Sequence, residues 1–312
     1  MDSQSSDIEV INLTKTFDQI VAVNHLSFSV RRGEIFGLVG PDGAGKTTTM
    51  RMLAGIMPPD SGTISVAGCD VLADPEGVKN RISYMPQRFG LYEDLTVDEN
   101  IRFYADLFGV ARRAREERAV PLLEACGMSQ FRARMAGNLS GGMKQKLGLV
   151  CALIHTPRVL LLDEPTNGVD PVSRREFWAM LYSLLGEGVT ILNSTAYLDE
   201  AERCHRLALL HNGRLLLCDE PEVLKEHMPG AVLSIVSSHA RNLRDDLRHV
   251  TGVTGTVLVG DAVHVFVDEG PRRLSEIQKR LDADHIEYSE IAQVPPSIED
   301  LFVTATTERE AA

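Results

Sequence analysis

Residues 40–48 read Gly40-Pro41-Asp42-Gly43-Ala44-Gly45-Lys46-Thr47-Thr48, and no other stretch limits the fold so strongly. Three glycines let successive backbone N–H groups turn toward one point with no Cβ in the way. The preceding residues, Glu34 to Val39, read as a strand, and Thr47 to Leu53 read as a helix. A strand that feeds a helix through such a loop aims the positive end of the helix dipole at the loop, which is a cradle for phosphate. Lys46 then reaches the outer phosphates of a nucleotide, and the Thr47 hydroxyl is placed to ligate Mg²⁺. The expected architecture is α/β, with a parallel sheet and a ligand at its carboxyl edge.

Two segments downstream extend the same chemistry. Val159 to Leu162 is apolar at every position, as a strand buried on both faces should be. Asp163 at its carboxyl end is suited to hold Mg²⁺ through water. Glu164 beside it can orient an attacking water or accept its proton. Between the two regions, Leu139-Ser140-Gly141-Gly142 forms a third loop of small residues ahead of a helix, again a phosphate-facing arrangement.

With these residues in view, the chain resembles the ABC ATPases. The resemblance rests on Lys15-Thr16-Phe17, the loop 40–48, Tyr84-Met85-Pro86-Gln87, Leu139 to Met143, Leu161 to Pro165 and Gly168-Val169-Asp170-Pro171. It covers residues 7 to about 225 and is closest to the ATP-binding subunits of bacterial drug and antibiotic exporters, of the daunorubicin-resistance type. Residues 85–97 are similar to the first half of tandem exporter ATPases.

The resemblance implies a P-loop cassette over residues 7–227, with a RecA-like core, a β-subdomain and a helical subdomain at about 88–155. It implies that Phe17 stacks on adenine, although an aromatic here also reads as a core residue. Gln87 would sense Mg²⁺ and the attacking water. Ser140, Gly141 and Gly142 would cap the γ-phosphate held by a second cassette, and Asp170 would lie at the seam between the two. The implied activity is ATP hydrolysis that moves separate transmembrane permease subunits, with the chain cytoplasmic and peripheral on the membrane. A membrane-subunit contact is expected within residues 88–108, next to Gln87.

Two positions depart from the family pattern. Met143 replaces a glutamine one turn into its helix, while the phosphate-facing residues before it are intact. In Ser194-Thr195-Ala196-Tyr197, Ala196 stands where the pattern has a histidine that contacts the γ-phosphate. Losing one preorganised donor costs on the order of 10²–10³ in rate. Two readings follow: a working ATPase, or a binding module with little turnover that serves an unlike partner. Neither Tyr197 nor His205 is an obvious replacement, since both are displaced from that position.

Composition narrows the class further. A net charge of −12 argues against a nucleic-acid partner. The interval between Lys46 and Asp163 has no room for the long coiled coil or zinc modules of DNA-acting relatives. No run approaches the 18 or so apolar residues of a membrane span, and the first residues lack a signal pattern. The five cysteines show no Cys-x-x-Cys spacing and read as free thiols.

Past residue 228 the pattern changes. Strands are expected at 232–237, 252–259, 262–268 and 286–291, with helices at 241–250 and 271–283 and a short last helix capped by Ser297. The order β-α-β-β-α-β predicts a small ferredoxin-like domain over 231–305. It reads equally as a regulatory or dimer-supporting domain and as a passive packing one. Residues 1–6 are expected to be disordered and 306–312 to form a tail.

Overall fold

The first strands, β1 (Ser6–Phe17) and β2 (Ile20–Arg31), form a long antiparallel pair. The computed structural model describes residues 5–88 and 90–310. Residues 1–4 of the expected disordered start lie outside the described residues, and Ser6 already belongs to β1. Phe89, within the 85–97 and 88–108 segments, also lies outside them. Residues 8–13 and 25–30, whose apolar alternation reads as that of edge strands, are the cores of much longer ones. Bulges after Val10 and Leu13, with Asn12 at φ 50°, break the apolar alternation and hide the full length of β1 from the sequence. Nor is β1 an edge strand, since it lies between β2 and β4.

Next come β3 (Ile35–Val39), α1 (Lys46–Leu53), β4 (Ser61–Val66), β5 (Cys69–Asp70), α2 (Pro75–Lys79) and β6 (Ile82–Met85). The helical stretch holds α3 (Val97–Leu107), α4 (Arg112–Ala125) and α5 (Gly141–Leu153). It is followed by β7 (Val159–Asp163), α6 (Pro171–Gly186), β8 (Thr190–Thr195), α7 (Leu198–Ala201), β9 (Arg206–His211), β10 (Arg214–Asp219) and α8 (Pro221–Glu226). One sheet runs β2-β1-β4-β5 and a second runs β10-β9-β3-β8-β7-β6. In the second sheet β9, β3, β8, β7 and β6 are parallel. Strands β3, β7 and β8 are buried at every residue, as central strands of a parallel sheet must be. Asn212 and Gly213, at φ 47° and 74°, make the two-residue turn between β9 and β10.

One core joins the sheet to the helices through Met85, Ile101, Leu147, Val150, Leu162 and Trp178. Helix α3 starts on a reciprocal cap in which Thr96 Oγ1 accepts from Glu99 N–H and Glu99 accepts from Thr96 N–H. The charged run in α4 faces solvent, where Arg113 pairs with Glu117 and Arg132 with Glu116. No disulfide joins any of the five cysteines.

The chain divides into two units. The first holds the described residues up to Tyr197 and Cys204–Leu215; the second holds Leu198–Arg203 and the described residues from Leu216 on. The second unit contains β11 (Ala231–Val236), α9 (Ala240–Leu247), β12 (Val253–Val259), β13 (Ala262–Val267), α10 (Gly270–Ala283), β14 (Glu290–Val294) and α11 (Ile298–Glu310). Its sheet is antiparallel in the order β12-β13-β11-β14, the ferredoxin-like arrangement. The last strand falls later than expected. Ile286 N–H instead closes the end of α10 on Leu281 O, and Tyr288 OH bonds Asp282. Helix α11 is not short and runs through Glu310, into the expected tail; residues 311–312 lie outside the described residues.

Candidate functional site

Parallel order places four strand ends side by side. The loop after β3, Asp163 closing β7, Thr195 closing β8 and Gln87 just past β6 all lie at one carboxyl edge. The loop 40–48 needs its glycines. A Cβ on Gly40 would sit 2.3 Å from Leu210 O, and Gly45, at φ 96°, would place one 2.3 Å from Ala22 O. Ala44 is buried and holds the loop through its carbonyl, which accepts from Gly213 N–H at 3.3 Å.

Lys46 begins α1 and is only 4 % exposed. Its ammonium donates to Gly40 O at 2.7 Å and Pro41 O at 3.0 Å, and lies 3.1 Å from Glu164 Oε1. Each of these three contacts is to an oxygen, two carbonyls and one carboxylate, whose place an incoming phosphate can take. Thr47 Oγ1 donates to Asp163 Oδ1 at 3.1 Å. Ser194 Oγ donates to the same oxygen at 2.7 Å, and Tyr84 OH donates to Asp163 Oδ2 at 3.1 Å. Burial, followed by the charge of Asp163, pushes the Tyr84 phenol well above its usual range, so it stays a donor. A hydroxyl and a carboxylate in contact form an oxygen-only donor set, which fits a hard cation such as Mg²⁺.

Glu164 is set more tightly than its neighbours. Its backbone is left-handed at φ 50°, a conformation that costs a non-glycine residue on the order of 1 kcal/mol or more and concentrates at functional sites. Its N–H reaches Ser194 O and Ser194 Oγ, each at 3.1 Å. Oε2 accepts from Gln87 Nε2 at 2.9 Å and Asn167 Nδ2 at 3.3 Å. The two pairs, Asp163 with Thr47 and Glu164 with Gln87, thus sit on one sheet edge.

A cleft of about 720 Å³ opens over these groups. Phe17, Asp42, Gly43, Gly45, Lys46, Thr47, Thr48, Gln87 and Glu164 line it, as the sequence led us to expect. Phe17 is 42 % exposed, which sets aside its reading as a core aromatic. Ile20, Val21 and Asn212 add to the wall beside Phe17 and escaped the sequence reading. Tyr84, Asn167 and Ser194 escaped it too: strand register brings Tyr84 and Ser194 to Asp163, and the turn after β7 brings Asn167 to Glu164.

Ser140, Gly141, Gly142 and Asp170 do not line this cleft. They form a second cluster where two helix N-termini meet. Ser140 Oγ accepts from Met143 N–H at 3.3 Å, and Asp170 Oδ1 accepts from Val172 and Ser173 N–H at 3.0 Å each. A Cβ on Gly142 would lie 2.4 Å from Ser173 Oγ, so α5 and α6 approach this closely only with glycine there. Ser140 and Gly141 are exposed. Ala196 is exposed as well, while His205 Nδ1 accepts from Ile35 N–H at the opposite end of β3.

Known proteins resemble this chain in sequence and fold. Residues 23–167 match the family model described as ABC transporter. The Escherichia coli (strain K12) probable multidrug ABC transporter ATP-binding protein YbhF is 44 % identical over 90 % of this chain, which spans only 48 % of that relative, about half its length. The Nod factor export ATP-binding protein I of Burkholderia pseudomallei (strain 1710b) is 38 % identical, with 96 % of each chain covered. A solved structure described as the ATP binding subunit of an ABC transporter superposes with a TM-score of 0.64 at 33 % identity, over 70 % of this chain and 92 % of that one. Loop, paired carboxylates and relatives agree, and the chain belongs to the ABC transporter ATP-binding proteins.

Proposed function

We propose that this chain binds ATP with Mg²⁺ in the cleft over Lys46, hydrolyses it within a pair of cassettes, and so powers a multidrug-type exporter. The carrying observation is the convergence of Lys46, Asp163, Glu164 and Gln87 on one sheet edge. Phosphate oxygens would take the place of Glu164 and the two carbonyls around the Lys46 ammonium. The exchange frees the Glu164 carboxylate to accept a proton from water, with Gln87 and Asn167 holding its second oxygen. Thr47 and Asp163 would hold Mg²⁺, which screens the phosphate charge when bound. Phe17 offers an aromatic face for adenine.

The cluster at Ser140, Gly141, Gly142 and Asp170 does not line this chain's own cleft, which supports its use by a second cassette. A groove of about 770 Å³ lined by Ile56, Tyr84, Tyr104, Leu107 and Phe108 supports docking of a transmembrane subunit. Ile56 and Leu107 in it are 61 % and 65 % exposed. No helix among the described residues is long and apolar enough to cross a membrane, so the pore is assigned to separate subunits, with this chain peripheral on the cytoplasmic face. Relatives named for multidrug and Nod factor export support the export direction.

Steady-state hydrolysis by the purified chain tests this, with Glu164→Gln as the blank. A rate that vanishes in the blank while ATP binding persists is expected. An equal rate in both would refute the assignment of Glu164.

A further inference from the structure

Beside the nucleotide cleft lies a smaller cavity of about 230 Å³, lined by Asp42, Glu164, Thr166, Asn167, Thr195, Ala196 and Tyr197. The proposed base Glu164 forms part of its wall, and residue 196 contributes only a methyl group to it. One wall is the half-buried Tyr197. Its ring lies under the Arg174 guanidinium at 4.3 Å, a contact that fixes the ring plane against α6. Its backbone N–H donates to Thr195 Oγ1 at 3.0 Å, closing a tight turn just past β8. Ring and backbone are thus both held, and the hydroxyl is delivered to one place. It donates to Asn167 Oδ1 at 3.4 Å, and Asn167 Nδ2 donates in turn to Glu164 Oε2 at 3.3 Å.

The order of these bonds matters. An amide has an oxygen end and a nitrogen end, and a free Asn167 could present either to the carboxylate. The Tyr197 hydroxyl engages the oxygen end, which leaves the NH₂ end for Glu164. With Gln87 on the same oxygen, the carboxylate is held by two amides, and one of them is oriented by Tyr197. Both bonds of the relay are long in this structure, as catalytic contacts often are before substrate enters.

We propose that Tyr197 is a positioning residue for hydrolysis: through Asn167 it fixes the rotamer of Glu164, the group that would accept the proton of the attacking water. This deepens the ATPase reading above and rests on it. The residue lies one position past the expected histidine and acts on the base through an amide, without contact to phosphate.

Tyr197→Phe keeps the ring under the Arg174 guanidinium and removes only the hydroxyl. The expected result is a kcat lowered about five- to tenfold with KM for ATP unchanged, since the loss concerns the base and not binding. Asn167→Ala should cost a similar factor, and the double variant no more than the larger single loss, because both act along one path. An unchanged kcat in Tyr197→Phe, a raised KM in its place, or losses that multiply in the double variant would each overturn the proposal. If the wild-type chain proves not to hydrolyse ATP, the ATPase reading fails by itself. The relay is then read from a high-resolution structure of Tyr197→Phe. An Asn167 amide turned away from Glu164 sustains it, and an unmoved amide refutes it.

Discussion

At the scale of single residues, the proposed function gives phosphate to one set of groups and the base to another. Phe17 belongs to neither set. Its ring is exposed at the cleft mouth, with the Lys15 ammonium 5.7 Å from its centroid and itself paired to Asp60 at 2.7 Å. Phe17→Ala should weaken ATP binding roughly tenfold, the scale of one lost stacking contact on a base. Its effect on kcat should be small, because no catalytic group touches the ring. Binding measured by a fluorescent ATP analogue, alongside the maximal rate, separates the two. A fall in kcat with unchanged affinity would exclude Phe17 from the base platform. Which residues could be read in advance follows from how each one acts. Lys46, Thr47 and Glu164 act within short motifs, so spacing revealed them. Ser194 and Tyr84 meet Asp163 only through the register of β8, β7 and β6, which a single sequence does not state, and Asn167 meets Glu164 through the turn that follows β7.

At the scale of elements, the second unit is tied to its last helix by one buried carboxylate. Asp300 is fully buried and accepts from Ser297 N–H and Oγ at 2.8 and 2.7 Å, while its own N–H donates to Ser297 Oγ at 3.2 Å. This reciprocal cap starts α11, and the sequence foretold its Ser297 half. The other half is His264 on β13, whose Nδ1 lies 2.8 Å from Asp300 Oδ1. That contact joins helix to sheet and could not be read from local pattern. Burial alone would raise the Asp300 carboxyl, but the bonds from His264 and Ser297 outweigh it and hold it below the ordinary 3.8. A carboxyl lowered by folding stabilises the native state above its unfolded value, and the contribution fades as pH falls through the folded one. Asp300→Ala should therefore cost about 1–3 kcal/mol near neutrality. In urea unfolding of the full chain, its deficit against wild type should shrink as pH drops below 3.8. A deficit independent of pH down to strong acid would show that shape, not charge, is what Asp300 supplies. The misplacement of β14 also belongs to this scale. Residues 286–289 have the β-branched and aromatic composition of a strand, yet Ile286 and Tyr288 are drawn back onto the end of α10.

At the scale of the whole molecule, the proposed pairing of cassettes makes a prediction about which residues share a site. Lys46 and Glu164 sit at one place, while the exposed N-terminus of α5, with Ser140 and Gly141, sits outside that cleft. A helix N-terminus exposed beside small residues is suited to hold an anion. Two copies arranged head to tail would give each cleft the other's cradle, and two-fold symmetry would make the two sites equal. The rate per chain should then rise with protein concentration before it levels off. Complementation makes the argument sharper. Lys46→Ala removes the phosphate lysine but spares α5, whereas Gly142→Asp drives a side chain into Ser173 and places a negative charge at the cradle. Each variant alone should be inactive, the first at its own cleft and the second at its partner's. In an equal mixture half of the dimers pair unlike chains, and each such dimer holds one intact composite site. The mixture should therefore recover about a quarter of the wild-type rate if sites act independently. A mixture as inactive as its components, from variants that still bind ATP or associate as the wild type does, would mean that the α5 cradle is not shared between copies of this chain, and its phosphate would have to come from an unlike cassette.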